Sequence, residues 1–189
     1  MERMNISELK AELEKLHSAS FGWALSCCRG DRAGAEEVLQ TVYLKILEGN
    51  ARYRAESSLR TWLFAVIRKT SVSEHRRSLL RKLRFSEGAN QPIDVGTHAT
   101  QDLDLERSEL QLRFRRALTL LPARQRQALH LVFYENLTLR EAAEVMSVSI
   151  GSARQHYERG KKRLRETLNR TEVAHANNWR RREHQDAVS

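Results

Sequence analysis

The stretch from Leu137 to Leu168 constrains the fold more than any other part of the sequence. It reads LTLREAAEVMSVSIGSARQHYERGKKRLRETL. Leu139, Ala142, Ala143 and Met146 fall on one face at helical spacing, and Ala153, Tyr157, Gly160, Leu164 and Leu168 form a second periodic run. Between the two lies only the break Ser147-Val148-Ser149. Two helices joined so tightly, with small residues where they cross, are the signature of a helix-turn-helix. From Gly151 to Arg170 the second run carries seven Lys/Arg against two Glu, and these charges fall off the buried face. A phosphate backbone is within reach of such a surface. An ordinary helical hairpin with a solvated basic side has the same local pattern, so the choice between them falls to the remaining chain.

At 189 residues the chain suits one ordinary domain or two small ones. A net charge of +9 favours a polyanionic partner, either nucleic acid or an anionic membrane surface. No apolar run approaches the roughly 18–20 residues a membrane span needs, and no apolar segment follows the N-terminus. The expectation is a cytoplasmic protein without direct membrane insertion. Few glycines and aromatics, with abundant Leu, Ala, Arg and Glu, point to an all-α protein. Cys27 and Cys28 are neighbours, which do not face each other on a helix, so they are read as small, partly buried side chains and not as a disulfide. With only His17 nearby, a metal site lacks ligands. Neither a metal nor a cofactor is expected.

Residues 5–28 read as one helix, with Asn5 and Glu8 as a capping box and Ile6, Leu9, Leu13, Leu16, Phe21, Ala24 and Cys28 as its apolar stripe. Arg29-Gly30-Asp31 breaks the pattern. A second helix spans about Arg32 to Glu48, burying Ala35, Leu39, Val42 and Ile46, and Gly49-Asn50 ends it. After the polar loop Ala51 to Ser57 a third helix begins near Ser58. Its stripe is Leu59, Trp62, Leu63, Val66, Ile67 and Thr70, with Trp62 as the expected core anchor. Arg60 to Arg84 holds eight Lys/Arg and one acid, Glu74. That run is either a solvated face or, next to an aromatic-bearing loop, a grip for single-stranded nucleic acid.

Composition then reverses. Ser86 to Glu106 has no Lys or Arg, five acids, two Gly and Pro92. It reads as a flexible linker, whose charge either keeps it off the basic faces or mimics nucleic acid. Helix returns at Leu105, with Leu110, Phe114, Ala117, Leu118 and Leu121 on one side. Pro122 opens the next helix, which Leu129, Val132 and Phe133 are expected to bury and Asn136 to end. Beyond Arg170 the pattern fades into a polar tail holding Trp179 and Arg180-Arg181-Arg182, read as frayed. The fold expected is therefore two small helical domains, 1–85 and 106–170, joined by a linker at 86–105 and followed by a tail at 171–189.

Four blocks in order carry a resemblance to a known family. They are Gly30-Asp31 through Ala35-Glu36-Glu37-Val38-Leu39-Gln40-Thr41-Val42-Tyr43; Ser57-Ser58-Leu59-Arg60-Thr61-Trp62-Leu63-Phe64, ending in Arg76-Arg77; Leu120-Leu121-Pro122 with Arg126; and Leu139 to Arg163, including Gly151-Ser152-Ala153 and Arg159-Gly160. Over residues 15–168 the chain resembles the extracytoplasmic-function (ECF) sigma factors of bacterial RNA polymerase.

The resemblance implies roles. Glu37, Gln40 and Thr41 would meet the clamp helices of the largest polymerase subunit. The loop around Asn50, Arg52 and Arg54 would hold a base flipped from the minus-ten element, whose extrusion costs a few kcal/mol of stacking. Arg60, Arg68, Lys69, Arg76 and Arg77 would grip that element. Gly151 and Ser152 would open a recognition helix whose Arg154, Gln155, His156, Glu158 and Arg159 read the minus-35 element. Implied partners are core RNA polymerase, including the flap of its second-largest subunit, promoter DNA and an anti-sigma factor. Four positions depart from the family pattern: Thr41, where an acid is usual; Lys69, commonly Asn; Ser73, commonly Asp; and Ser147, often Gly.

Two other classes compete. A regulator binding DNA through the helix-turn-helix alone would need neither the Trp62 helix nor the Gln40 block. A nuclease or recombinase would need clustered acids for metal-assisted chemistry, which the basic faces lack. The expectation is a binding and strand-opening subunit with no chemistry of its own.

Overall fold

The computed structural model describes residues 6–85, Phe114 and 116–186. Asn5, Leu110 and the acidic linker lie outside them. The elements are α1 (Ile6–Lys15), α2 (His17–Cys27), α3 (Arg32–Leu47), α4 (Leu59–Phe85), α5 (Ala123–Leu129), a π-helical turn (His130–Tyr134), α6 (Leu139–Met146) and α7 (Ile150–Asp186). A short helical stretch at 116–119 precedes α5. Among the described residues there is no strand, and no helix is long and apolar enough to cross a membrane.

Local chemistry sets the boundaries. Arg29 and Gly30 take left-handed backbone angles, φ 60° and 90°, and turn the chain between α2 and α3. Asp31 then caps α3, its carboxylate accepting the Gly34 N–H at 3.2 Å. Thr138 and Glu141 form a reciprocal capping box on α6. The left-handed Asn136 (φ 50°) closes the turn before it.

The core is centred on Trp23. Its indole is fully buried, stacks on Phe64 at 6.0 Å between ring centroids, and donates Nε1–H to the Phe64 carbonyl at 2.9 Å. Val38, Leu39, Val42, Ile46, Leu63 and Ile67 complete the N-terminal part. The same cluster continues without a gap into Ala128, Leu131, Leu137, Ala142, Val145 and Met146. On its far side Trp23 meets the ring of His130 at 5.4 Å. The two helical modules thus pack on each other, with α4 covered by α2 and α3 on one flank and by α6 on the other.

That packing explains where the structure departs from the sequence pattern. Trp62 is only half-buried and lies against Tyr53 at 5.4 Å, so it is not the anchor. Covering α4 from a second side swings its buried arc toward Thr61 and Phe64, both inaccessible. The single helix expected over 5–28 is broken at Leu16, and the bend lets Leu13 of α1 and Trp23 of α2 both reach the core. The π-helical turn adds a residue to its coil. Leu131 consequently points inward, Val132 is half-buried, and Phe133, expected inside, is 55% exposed. The stretch read as a frayed tail continues α7 as helix to Asp186, with no Gly or Pro after Gly160 to stop it.

Candidate nucleic-acid interface

The helix-turn-helix is built by its turn. Ser147 adopts φ 52°, ψ 51°, left-handed, and the N–H of Val148 reaches back to the carbonyl of Ala143 at 3.0 Å. This closes α6 in the manner of a Schellman cap, for which Gly is the relaxed residue and Ser costs about 1 kcal/mol. Ser149 then caps α7: its hydroxyl accepts the Ser152 N–H at 3.1 Å and donates to the Ser152 hydroxyl at 2.9 Å. Small residues seat α7 on its neighbours. Ala153 is fully buried, and a Cβ on Gly160 would lie 3.1 Å from Leu129 Cγ and Cδ1 and 3.2 Å from the Gln125 carbonyl.

With that side occupied, Gly151, Arg154, Gln155, Glu158 and Arg159 are exposed, and Ser152 and His156 are half-buried beside them. Burial, reinforced by the charges of Arg124 and Arg159, lowers the His156 pKa, so its ring is neutral near pH 7. Glu158 lies 3.7 Å from Lys161, whose ammonium sits over the Tyr157 ring at 5.1 Å.

In the N-terminal module Glu37 and Gln40 are exposed on α3 and Thr41 is half-buried. Two residues that the sequence reading did not assign extend this face, Leu44 at 50% exposure and Leu47 at 49%. Their signal is present in the sequence. They stand off the Ala35, Leu39, Val42 and Ile46 stripe and recur at helical intervals from Gln40.

In the loop before α4, Asn50 donates to Glu48 at 3.0 Å and Arg52 Nε donates to the Gly49 carbonyl at 3.2 Å. Tyr53 donates to the Ser57 carbonyl at 2.7 Å. Arg52, Arg54, Lys69, Arg76 and Arg77 face solvent, Arg77 pairing with Glu74 at 2.9 Å. Arg60 and Arg68 do not share that exposure. Arg68 Nε donates to Gln127 Oε1 at 3.2 Å. Arg60 lies over the Phe64 ring at 5.4 Å and forms an ion pair with Glu135. The residues expected at a minus-ten element therefore divide into an outward set and a pair held against the C-terminal module.

Glu135 is buried, which by itself disfavours its charge. Hydrogen bonds from His130 and Arg60 outweigh that, and its carboxyl titrates below the ordinary glutamate range. Both cysteines are free, and burial raises the pKa of each thiol. Among the described residues no cluster of three or more His, Cys, Asp or Glu could hold a metal ion.

An all-helical chain with a capped helix-turn-helix in one module and a basic, aromatic-flanked helix in the other defines a class of DNA-directed binding proteins. The family described as Sigma-70 region 2 matches residues 13–80, and that described as Sigma-70, region 4 matches residues 117–166. The chain belongs to the ECF sigma-factor family. It is 25% identical over 138 residues to the RNA polymerase sigma factor YlaC of Bacillus subtilis, covering 72% of this chain and 79% of that one. It is 28% identical over 144 residues to the ECF RNA polymerase sigma factor SigC of Mycobacterium tuberculosis, covering 75% and 74%. Among solved structures it resembles the sigma factor RpoE of Bartonella quintana, determined with the anti-sigma factor NepR. The TM-score is 0.68 and the identity 25%, over 87% of this chain and 98% of that one. CnrH, solved with the cytosolic domain of CnrY, shares the fold at a TM-score of 0.59 and 17% identity, over 87% and 90%.

Proposed function

We propose that this protein is a promoter-specificity subunit that docks on core RNA polymerase, reads a minus-35 element with α7 and opens a minus-ten element with α4 and the loop before it. The observation that carries the reading is the outward row Arg154, Gln155, Glu158 and Arg159 on a helix whose opposite side is seated by Ala153 and Gly160. Arg suits guanine edges and Gln adenine edges in the major groove. Exposed Arg52, Arg54, Lys69, Arg76 and Arg77 supply phosphate contacts for the melted strand, and Asn50 lines the loop that receives the flipped base. The α3 face of Glu37, Gln40, Thr41, Leu44 and Leu47 meets the clamp helices of the largest subunit, and the C-terminal module meets the flap of the second-largest. The protein works in the cytoplasm.

On this reading the packed arrangement is a resting form. Arg60 and Arg68 reach promoter DNA only after the C-terminal module leaves α4. An anti-sigma factor, as solved with the similar RpoE, would hold the modules in place. The test is run-off transcription with purified core polymerase, on templates selected by mapping start sites after overexpression. Promoter-dependent transcripts that need both elements are expected. DNA binding without any core-dependent transcript would identify a helix-turn-helix regulator instead.

A further inference from the structure

One arginine at the module junction has no partner for part of its guanidinium. Arg126, at the C-terminal half of α5, is 6% exposed. Its Nε donates to the Ser26 carbonyl at 3.2 Å and its Nη1 to the Leu121 carbonyl at 3.3 Å. Its Nη2 is buried and unpaired among the described residues, as is the hydroxyl of Ser26. A buried guanidinium is normally matched by an anion or fully hydrogen-bonded, because an unmet charged donor costs more than a neutral one. Here no described carboxylate forms an ion pair with it.

A second arginine stands beside it. Arg29 and Arg126 line one cleft of about 330 Å³, together with Leu120, Leu121 and Pro122. After burial, the charge of Arg29 is the next influence on the Arg126 guanidinium, so the two feel each other. Arg29 also holds a left-handed backbone, φ 60°, in a turn where Gly or Asn would be relaxed. The Gly30 N–H reaches back to the Leu25 carbonyl at 2.9 Å, so Arg29 closes α2 as Ser147 closes α6. The cleft joins the two modules: Arg29 comes from the α2–α3 turn and Arg126 from α5.

We propose that this junction cleft is a binding site for a small oxyanion, of phosphate or carboxylate chemistry, bridged by Arg29 and Arg126. The anion neutralises two like charges at once, through the parts of the two side chains that line the cleft. Because its two arginines come from different modules, the bound anion stabilises the packed arrangement through linkage. The proposal is independent of the transcriptional role.

The test uses the full chain, titrated with sodium phosphate or sodium acetate against sodium chloride at matched ionic strength. Calorimetry and the thermal midpoint are the readouts. One saturable site per chain is expected, with a rise in Tm that saturates with it. Arg29→Gln, at an exposed turn, should weaken binding about tenfold or more. Lys10→Gln, an exposed charge on α1, should bind as the native chain does, which separates the site from general charge screening. Binding of phosphate alone or acetate alone supports the site and fixes its chemistry. No saturable binding of either, or equal binding by native protein and Arg29→Gln, overturns the proposal.

Discussion

Glu135, at the end of the π-helical turn, forms an ion pair with Arg60 on the first turn of α4, so a carboxylate from one module neutralises a cation of the other. The same carboxylate takes a hydrogen bond from His130 Nε2 at 3.2 Å, and the His130 ring in turn packs on Trp23. An apolar core and an ion pair buried on its Glu135 side thus lock the same junction. Removing one partner of such a pair leaves the other without compensation. Glu135→Gln should lower stability by about 1–3 kcal/mol, the range for hydrogen bonds to charged groups, with Arg60's part reduced by its access to solvent. Denaturant unfolding of the full chain measures it. An unchanged midpoint would show that the ion pair contributes nothing to the packed form.

The pH dependence follows from the same group. The Glu135 carboxyl is depressed in the folded protein relative to an ordinary value of 4.5. A depressed acid stabilises the folded state fully above its unfolded pKa, and that contribution is lost as pH falls through the folded pKa. The stability difference between native protein and Glu135→Gln should therefore be constant above about pH 5 and shrink below 4.5. Urea midpoints for both proteins from neutral to acid pH provide the check. Parallel curves throughout would remove Glu135 as the source.

Trp23 and Trp62 make opposite predictions for the same substitution. Trp23 is inaccessible and contacts Phe64 and His130, so Trp23→Ala should cost about 3–5 kcal/mol or prevent folding. Trp62 is half-buried against Tyr53, and Trp62→Ala should cost clearly less. Equal losses would place Trp62 back in the core.

Those two tryptophans also mark how far the sequence could be read. Periodicity located α3, α4, α6 and α7, because each buries one stripe at 3.6-residue spacing. The turn chemistry at Asp31, Asn136 and Ser147 is likewise local and visible. The packing of one module on the other is not, since it depends on contacts between residues such as Arg60 and Glu135 that lie 75 apart. Leu16 and the π-helical turn escaped for a related reason. Each is a one-residue adjustment that tertiary packing imposes on an otherwise unbroken helical pattern. The outward residues of α7 could be named from their spacing, but nothing local showed that Arg68 would face Gln127.

Gly160 tests the seating of the recognition helix. An added Cβ would meet Leu129 and the Gln125 carbonyl at 3.1–3.2 Å, tighter than ordinary van der Waals contact. The better helix propensity of Ala offsets up to about 1 kcal/mol of this. Overpacking of a close crossing costs about 1–3 kcal/mol. Gly160→Ala should thus be destabilising by up to about 2 kcal/mol, read from thermal unfolding. A stabilised variant would mean that Leu129 moves aside freely.

Cys27 reports on whether the modules are together. Burial is the main reason its thiol is raised, and Gln127 of the other module donates to its sulfur at 3.9 Å. Little thiolate is available, so alkylation should be slow at pH 8. Loosening the junction with Glu135→Gln should accelerate modification of Cys27, read by peptide mass spectrometry after timed iodoacetamide. A Cys27 rate that is fast in native protein would mean that the junction is open most of the time.

Arg154 is the sharpest test of sequence readout. It is exposed on α7 one turn from the Ser149 cap, next to Gln155 and beside Arg159. A bidentate arginine on a guanine edge is worth about 1–3 kcal/mol of discrimination, whereas an arginine on phosphate weakens all sequences alike when removed. Under the proposed reading Arg154→Ala should cost about that much on the preferred minus-35 sequence and relax preference at one base position. Competition binding against a set of single-base variants, at fixed salt because phosphate contacts are salt-dependent, distinguishes the two. A uniform loss across the set, with a shallower salt dependence, would reassign Arg154 to the backbone and leave Gln155 and Arg159 as the readers.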